Sequence, residues 1–343
     1  MKKQKPKINA AEKVSANRRE LVDTLIKQME SGELPWKKGW KCIRPYNPVQ
    51  KITYKAGNRL RLQYAADCMG YTDPRWCTYL QAKEQGWSIK AGEKGILCER
   101  WIFDETRNIE NPDTGEIEKV KVPRDIPYVN YFYVFNGSQI EGIPEYRQPS
   151  APDPDQNLKL AQKLISSSAC PIYHDGGDRA YYIPDQDSIH LPDPTCFFSN
   201  LEYLATALHE MGHSTGHESR LKRNIQNKFG TEGYAKEELV AELTSVFSQA
   251  DFEIDLPESQ LENSSAYLQN WIKCLTEEPN VLFSAVADAE KASEFLEVQY
   301  AKHYDLQIKI DMETGRRIFV QKEDDLLTKS PQKTERKAIE FER

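Results

Sequence analysis

Two histidines four residues apart flank a glutamate in the segment HEMGH. If this segment is helical, the imidazoles of His209 and His213 share one face and can bind a single metal ion. Glu210 then lies beside them, where its carboxylate can accept a proton from water. Three of the chain's six histidines, including His217, fall within this short region. The pattern predicts a Zn²⁺ site that activates water, in preference to a chance pair of surface histidines.

A hydrolytic zinc site needs a third protein ligand and leaves its fourth position to water. His217 is the nearest candidate, but the pattern HExxHxxGxxH requires a histidine where Ser219 stands. The segment YAKEELVAELTS predicts a second helix, which carries Glu238 and Glu242 one turn apart. By analogy with thermolysin-like sites, we assign Glu238 as the ligand and Glu242 as the carboxylate that orients an imidazole through its other nitrogen. The reverse assignment of these two glutamates stays open.

Besides Glu242, two further side chains are expected near the metal without binding it. Tyr234 lies one turn before Glu238. It could donate a hydrogen bond to an oxyanion that forms during hydrolysis, and a buried packing role is the alternative. His217 and Glu242 complete this outer set, which is expected to orient the ligands.

Regular patterns place the HEMGH segment in a mainly helical second domain. Apolar periodicity predicts helices over residues 158–166, 201–213, 234–250, 260–276 and 279–300. Short strands are expected at 180–183 and 188–191. Ser199 or Asn200 is expected to cap the helix that carries both histidines.

The first third of the chain predicts a smaller α+β domain. Apolar residues at helical spacing indicate a helix over residues 14–29, and 78–84 is expected to be a short helix. Strands are expected at 52–54, 95–103 and 128–135, with a hairpin tip at 111–115. The segment LPWKKGWKCIRPYNP is rich in Pro, Gly and Trp, which predicts a structured loop with exposed rings.

The sequence therefore predicts an α+β protein of two domains. A small N-terminal α+β domain spans residues 1–147, and a proline-rich linker covers 148–157. A mainly helical domain with a small sheet spans 158–303. Charged residues dominate 304–343, which is expected to be a poorly ordered tail.

The charge of the chain is unevenly distributed, which bears on its partners. The net charge is −7, yet residues 1–100 contain 21 Lys+Arg against 10 Asp+Glu. Because rings stack on unpaired bases while cations neutralise phosphates, basic residues interleaved with aromatic ones indicate single-stranded DNA binding. The alternative is that the rings are core and the charges a solvated face. The candidate DNA contacts are Trp36, Lys37, Lys38, Trp40, Tyr54, Arg59, Trp76, Lys90 and Lys94.

Composition excludes several other classes of protein. The chain of 343 residues is 39% hydrophobic and 29% charged, which is typical of a globular protein. It contains no apolar run of the roughly 20 residues that a membrane-spanning helix needs, and no apolar stretch follows the basic start. Seven cysteines without a CxxC pair fit reduced thiols, so we expect a cytoplasmic protein with no membrane partner. The sequence does not indicate an oligomeric state.

Several longer motifs resemble a known family, the ArdC-type antirestriction proteins of conjugative plasmids and related mobile elements. In the first domain the resemblance is carried by LIKQMESGELPWKKGW, PYNP, YKAGNRLRL, WCTYLQAKEQGWSIKAGEKG and YVFNGSQIEGI. In the second it is carried by AYYIPDQDSIHLP, HEMGHSTGHESRLKR, YAKEELVAEL and AYLQNWIKCL. The order of these motifs along the chain matches the family, and the charged tail lies outside the resemblance.

The resemblance implies an N-terminal domain that binds single-stranded DNA and a C-terminal zincin-like metallopeptidase domain. It also implies protection of incoming DNA from host restriction, with an unidentified host protein as substrate. Two alternatives stay open. One is a DNA-coating protein whose zinc site is only structural, and the other is a zinc protease whose basic domain recognises a protein.

Overall fold

The computed structural model describes residues 9–36, 44–110, 116–147, 153–227, 230–254, 264–311 and 317–322. Within these segments the helices are α1 (Ala10–Glu30), α2 (Ala56–Met69), α3 (Tyr79–Glu84), α4 (Pro154–Ser166), α5 (Asn200–Ser214), α6 (Glu232–Asp251), α7 (Ser264–Glu277) and α8 (Asn280–His303). The strands before α4 are β1 (Tyr46–Asn47), β2 (Ile52–Thr53), β3 (Trp76–Thr78), β4 (Ser88–Ile89), β5 (Ile96–Glu110), β6 (Ile117–Asn136) and β7 (Ile140–Glu141). Those after α4 are β8 (Ile172–Tyr173), β9 (Tyr181–Ile183), β10 (Ser188–His190), β11 (Leu306–Ile310) and β12 (Arg317–Gln321). The α+β fold class is confirmed.

The largest sheet is built around the long antiparallel hairpin of β5 and β6, in the order β3-β6-β5. Both strands extend well beyond the predicted 95–103 and 128–135, because their outer halves carry many charged residues that obscure the strand pattern. Glu110 pairs with Ile117 at the far end of the hairpin. The predicted turn at 111–115 lies outside the described residues.

Helix α2 was not predicted from the sequence. It runs through YKAGNRLRL, and it buries Arg59, Leu60, Arg61, Leu62 and Gln63 in one unbroken run. A helix that is buried almost all round lacks the alternation of apolar and polar faces on which periodicity depends. Its arginines also obscure the helix in the sequence, because Arg is seldom fully buried and therefore suggests an exposed segment.

The described residues on both sides of the predicted linker share one hydrophobic core. Leu25 and Met29 of α1 belong to the same buried cluster as Phe247 of α6, Trp271 of α7 and Leu282 of α8. Helix α4 begins at Pro154, inside the segment expected to be a linker, and residues 148–152 lie outside the described part of the chain. The first region is therefore packed directly on the helices that follow the linker.

A buried ionic cluster strengthens this junction. Arg59 of α2 donates through both terminal nitrogens to Asp251, the last residue of α6, at 2.9 Å each. Arg44 lies 3.5 Å from the same carboxylate and pairs with Glu290 of α8. A buried charge without a partner is strongly destabilising, so these pairs hold the first region and α6 in one arrangement.

The expectation of a poorly ordered tail is wrong for the described residues just after α8. Strands β11 and β12 form an antiparallel hairpin, and Phe319 stacks on Phe252 with ring centroids 4.9 Å apart. The alternation in LQIKI and RIFVQ is short and lies among charged residues, which is why the sequence pattern was missed. Residues 323–343 lie outside the described part of the chain.

Helices α4 and α5 pack together beside a three-stranded sheet. Strand β10 pairs with β8 in parallel and with β9 antiparallel, which makes β9 an edge strand. None of the described helices combines the length and the apolar character needed to cross a bilayer.

Candidate metal centre

Helix α5 presents the HEMGH segment, and its start is fixed by a side-chain cap. Ser199 accepts a hydrogen bond from the backbone N–H of Glu202, as a helix N-cap does. Near the other end Gly212 faces α6, and a Cβ there would lie 3.1 Å from the Cα of Ala241. A side chain at this position would crowd the backbone of α6, so glycine favours the close approach of the two helices. This contact brings the acidic face of α6 to the histidines of α5.

Three side chains converge where the two helices cross. Nε2 of His209 lies 3.4 Å and Nε2 of His213 3.7 Å from Oε2 of Glu238. One ligand atom from each residue lies within 4.8 Å of the other two. Two imidazole nitrogens and one carboxylate oxygen form the donor set of a metal with three protein ligands and one open position. The residues present therefore fit a divalent metal.

The other nitrogen of each imidazole faces a second glutamate. Nδ1 of His209 lies 3.4 Å from Oε2 of Glu242, and Nδ1 of His213 lies 3.2 Å from Oε1 of Glu237. Arg223 donates to both oxygens of Glu237, at 2.7 and 3.1 Å. Sequence reasoning missed Glu237 and Arg223, because nothing in the run EEL distinguishes one glutamate from its neighbour until α6 is packed against α5.

The acidic surroundings favour the protonated form of both imidazoles. Burial lowers the pKa of His209, but hydrogen bonds to Glu238 and Glu242 outweigh it and place this pKa well above its usual value. Burial acts in the same way on His213, where hydrogen bonds to Glu237 and Glu238 raise the pKa to about 9. Although burial raises the pKa of Glu238, hydrogen bonds from both histidines bring it far below the usual value. A divalent cation would replace these protons, because it binds the neutral imidazole.

Glu210 is buried beside the three candidate ligands. Burial raises the pKa of its carboxyl group, while the positive charges of His213 and His209 and a backbone hydrogen bond from Tyr182 act in the opposite direction. A carboxylate held in this way is suited to accept a proton, because its basicity is increased by the loss of solvent.

An open cleft of about 250 Å³ leads to these groups. Its walls include Tyr181 and Tyr182 of the edge strand β9 and Tyr234 at the start of α6. The two histidines line it together with Glu210, Glu237 and Glu238. Tyr234 thus borders the same cavity as Glu210. His217 takes other partners, because its Nδ1 lies 2.8 Å from Oγ of Ser219 and 3.9 Å from Asp187. Neither partner is a candidate metal ligand, so these contacts do not support the orienting role that we expected for His217.

The structure corrects four of the predicted DNA contacts, because their side chains lie in the interior. Trp36 packs on Trp271 with ring centroids 5.7 Å apart, and Trp76 is only 1% exposed. Tyr54 donates its hydroxyl to the backbone oxygen of Trp76, and Arg59 is bound to Asp251. Rings and cations so placed offer no face to a base or a phosphate, and the packing alternative holds for all four.

The remaining candidates fall into two groups. Lys90 and Lys94 are exposed in the segment that leads from β4 to β5, where Lys90 donates to the backbone oxygen of Ser138. Lys37, Lys38 and Trp40 lie outside the described residues. The DNA contact of these five residues stays a prediction.

Two protein families match consecutive parts of the chain. The family described as the N-terminal domain of anti-restriction factor ArdC matches residues 15–135. The family described as zincin-like metallopeptidase matches residues 159–288. The second match contains the HEMGH segment and all the candidate metal ligands.

Curated relatives share most of this chain at moderate identity. A DNA primase TraC of Escherichia coli is 38% identical over 290 residues, which cover 81% of this chain and 26% of the primase. A second TraC primase of Escherichia coli is matched over only 19% of its length. The chain therefore spans about a fifth to a quarter of these primases. The protein y4eC of Sinorhizobium fredii is 28% identical, and 91% of its length is covered.

Two solved structures of the antirestriction protein ArdC from plasmid R388 are similar to this chain. The metal-free form is 32% identical with a TM-score of 0.64, and the alignment covers 83% of this chain and 98% of ArdC. The form with Mn(II) bound is 30% identical with a TM-score of 0.65, at the same coverage. Similarity of this extent covers both parts of the fold. The chain therefore belongs to the ArdC family of antirestriction proteins, with an ArdC-type N-terminal domain followed by a zincin-like metallopeptidase domain.

Proposed function

We propose that this protein protects incoming DNA from host restriction by binding it as a single strand and by hydrolysing a host protein at a zinc centre. The observation that carries the proposal is the convergence of His209, His213 and Glu238 beside the buried Glu210. The family match supports the antirestriction role. Zn²⁺ is the metal we expect from the donor set, and the Mn(II)-bound structure of ArdC from plasmid R388 supports binding of a divalent ion in this family.

The side chains around the centre are suited to peptide hydrolysis. A divalent metal bound there polarises a carbonyl group and lowers the pKa of water. Glu210 accepts the proton of the attacking water and passes it to the nitrogen of the leaving amine. Glu242 and Glu237 hold the outer nitrogens of His209 and His213, which fixes the orientation of both rings. Tyr234 lies on the wall of the cleft, and we expect its hydroxyl to donate to the oxyanion.

The edge strand β9 gives an extended peptide a place to bind. It borders the cleft through Tyr181 and Tyr182, and its other side is paired with β10. A peptide that adds to the free edge of a sheet forms backbone hydrogen bonds whatever its side chains are. Such binding would bring the peptide to the cleft that contains the candidate metal ligands.

Hydrolysis is tested by comparing the wild type with Glu210→Gln, both loaded with Zn²⁺, on soluble proteins of a recipient cell. New protein N-termini are counted by mass spectrometry. We expect new termini from the wild type and essentially none from the variant, while both retain zinc. An equal set of termini from the two proteins would remove Glu210 from its role, and no termini from either would favour a structural metal.

The DNA part of the proposal is tested by fluorescence anisotropy with labelled single-stranded and duplex oligonucleotides over a series of salt concentrations. We expect preference for the single strand, with affinity that falls steeply as salt rises. His209→Ala should bind as the wild type does, because it changes the metal centre alone. Absence of binding by the wild type would leave recognition of a protein as the role of the basic region.

A further inference from the structure

The β5–β6 hairpin carries four exposed aromatic rings that do not belong to the hydrophobic core. Trp101 and Phe103 of β5 are 42% and 59% exposed, and Tyr131 and Tyr133 of β6 are 38% and 42% exposed. We call these four residues the ring row. Scattered exposed rings are ordinary on a protein surface, but two pairs of neighbouring exposed rings on one hairpin indicate an interaction site.

Strand register places Trp101, Tyr131 and Tyr133 on the same face of the sheet, and a ring contact places Phe103 beside Trp101. Glu99 is opposite Tyr131, and Leu97 is opposite Tyr133. Because side chains two residues apart in a strand point the same way, Trp101 shares the face of Glu99. Phe103 lies at the β-bulge between Ile102 and Asp104, so its side is given by its contact with Trp101 and not by the register. Contacts agree with this arrangement, since the ring centroids of Trp101 and Phe103 are 6.3 Å apart. Trp101 also donates its indole N–H to Glu99 at 3.1 Å.

The opposite face of the hairpin is closed by α2. Cys98 and Val134 point to that side and belong to one buried cluster with Leu62 and Ala66 of α2 and with Trp76. On the face of the ring row, α1 packs Val14 on Leu97 and Val129. The four rings thus lie beside a helix-covered patch and project into solvent. Their exposure follows from where the helices end on each face.

The charges near the ring row favour an anionic partner. Glu99 shares the face, but it is buried and paired with Arg18 at 2.5 Å and Arg61 at 2.8 Å, so one carboxylate faces two guanidinium groups. The guanidinium of Arg18 also lies over the Trp101 ring, 5.5 Å from its centre. Lys90 and Lys94 are exposed just before β5 begins. Cations beside open rings are suited to phosphates next to unpaired bases.

We propose that the ring row is the surface on which the bases of single-stranded DNA stack. An antiparallel sheet with exposed rings is a known solution for unpaired nucleotides, because each ring offers a π-face to any base. The inference rests on the proposed function, in that it locates the DNA contact the family match suggests, and it replaces the buried rings that sequence reasoning had assigned to that contact.

The test measures binding of fluorescein-labelled oligothymidine by anisotropy with the full chain and the variants Trp101→Ala and Tyr131→Ala. We expect each variant to bind roughly 5- to 150-fold more weakly than the wild type, since each loses one stacking ring. The dependence of affinity on salt should stay the same, because no phosphate contact is removed. Tyr79→Ala, which changes an exposed ring on α3, is the matched control and should leave affinity unchanged.

Two additional arms separate the possible outcomes. Trp101→Phe keeps a stacking ring and should retain most of the affinity, which guards against a folding defect in Trp101→Ala. An abasic oligonucleotide of the same length should bind the wild type and Trp101→Ala equally. If both alanine variants bind oligothymidine with the affinity of the wild type, the ring row is not the DNA surface, and a protein partner for it is favoured. Failure of the wild type to bind oligothymidine would overturn the DNA part of the proposed function as well.

Discussion

Arg223 holds Glu237 through both carboxylate oxygens, at 2.7 and 3.1 Å, and so presents it to Nδ1 of His213. The same guanidinium donates to the backbone oxygen of Gly212 and to Oγ1 of Thr215, both at the end of α5. Planar, two-point pairing of this kind fixes direction as well as distance. The orientation of one candidate metal ligand is therefore set by a residue in the loop between α5 and α6.

This relationship predicts that Glu237→Gln and Arg223→Lys weaken metal binding without removing a ligand. Loss of a carboxylate behind a metal-bound imidazole typically lowers affinity about 10- to 100-fold. Competition for Zn²⁺ against a coloured chelator measures the effect directly. Glu232→Gln, at the exposed start of α6, is the control and should bind zinc as the wild type does. Unchanged affinity in Glu237→Gln would show that His213 needs no partner.

The two glutamates one turn apart on α6 should respond differently to substitution. Glu238 faces Nε2 of both histidines, whereas Glu242 faces Nδ1 of His209. Glu238→Gln is therefore expected to lose far more zinc affinity than Glu242→Gln, for which about 10- to 100-fold is the expected loss. The same competition assay ranks them. A larger loss in Glu242→Gln would reverse the assignment of ligand and orienting carboxylate.

Glu99 should make the free energy of unfolding of the protein depend on pH in the acidic range. Burial raises the pKa of its carboxyl group, but hydrogen bonds from Arg18 and Arg61 outweigh burial, so the folded pKa lies below the usual value. A lowered pKa stabilises the fold above the unfolded pKa of about 4.3, and this stabilisation is lost as the pH falls through the folded pKa.

Glu99→Gln is therefore expected to lower the free energy of unfolding at pH 7 by about 3–5 kcal/mol, because it leaves two guanidinium groups without their carboxylate. The difference from the wild type should shrink as the pH falls below about 4. Urea unfolding at several pH values measures both. Glu110→Gln, at the exposed end of β5, should behave as the wild type throughout, and a constant difference for Glu99→Gln would contradict the titration.

The shared core predicts that residues 1–147 do not form a stable domain alone. Without α6 to α8, the buried face of α1 would meet water, and Arg59 would lose Asp251. The isolated fragment should show poor dispersion of amide signals by NMR and no cooperative thermal transition. A fragment that unfolds cooperatively would show that the helices beyond the linker are dispensable for the first region.

How much of this arrangement is readable from the sequence differs from element to element. The spacing of His209, Glu210 and His213 on a helix is a local property, so the sequence predicted that helix closely. The pairing of Arg223 with Glu237 is not local, because it depends on how a loop crosses α6. The contact of Glu238 with the histidines also depends on how α5 and α6 pack together, so the sequence could assign it only by analogy.

Aromatic residues show the same limit more sharply. Composition indicated that the first third is rich in rings and cations, but it could not separate Trp76, which is buried, from Trp101, which is exposed. Exposure depends on which face of a strand a helix covers. Helix α2, which covers one such face, was itself not predicted because of its buried arginines. Period-two alternation places residues on faces of a sheet, and only packing decides which face meets water.

The most direct test of the account is diffraction at the zinc absorption edge from crystals of the protein grown with Zn²⁺. We expect one strong anomalous peak between α5 and α6, bonded to Nε2 of His209, Nε2 of His213 and a carboxylate oxygen of Glu238, with Glu210 close by. Metal–ligand distances should be about 2.0–2.2 Å. A peak bonded to other residues, or none at this position, would contradict the metal centre on which the proposed hydrolysis depends.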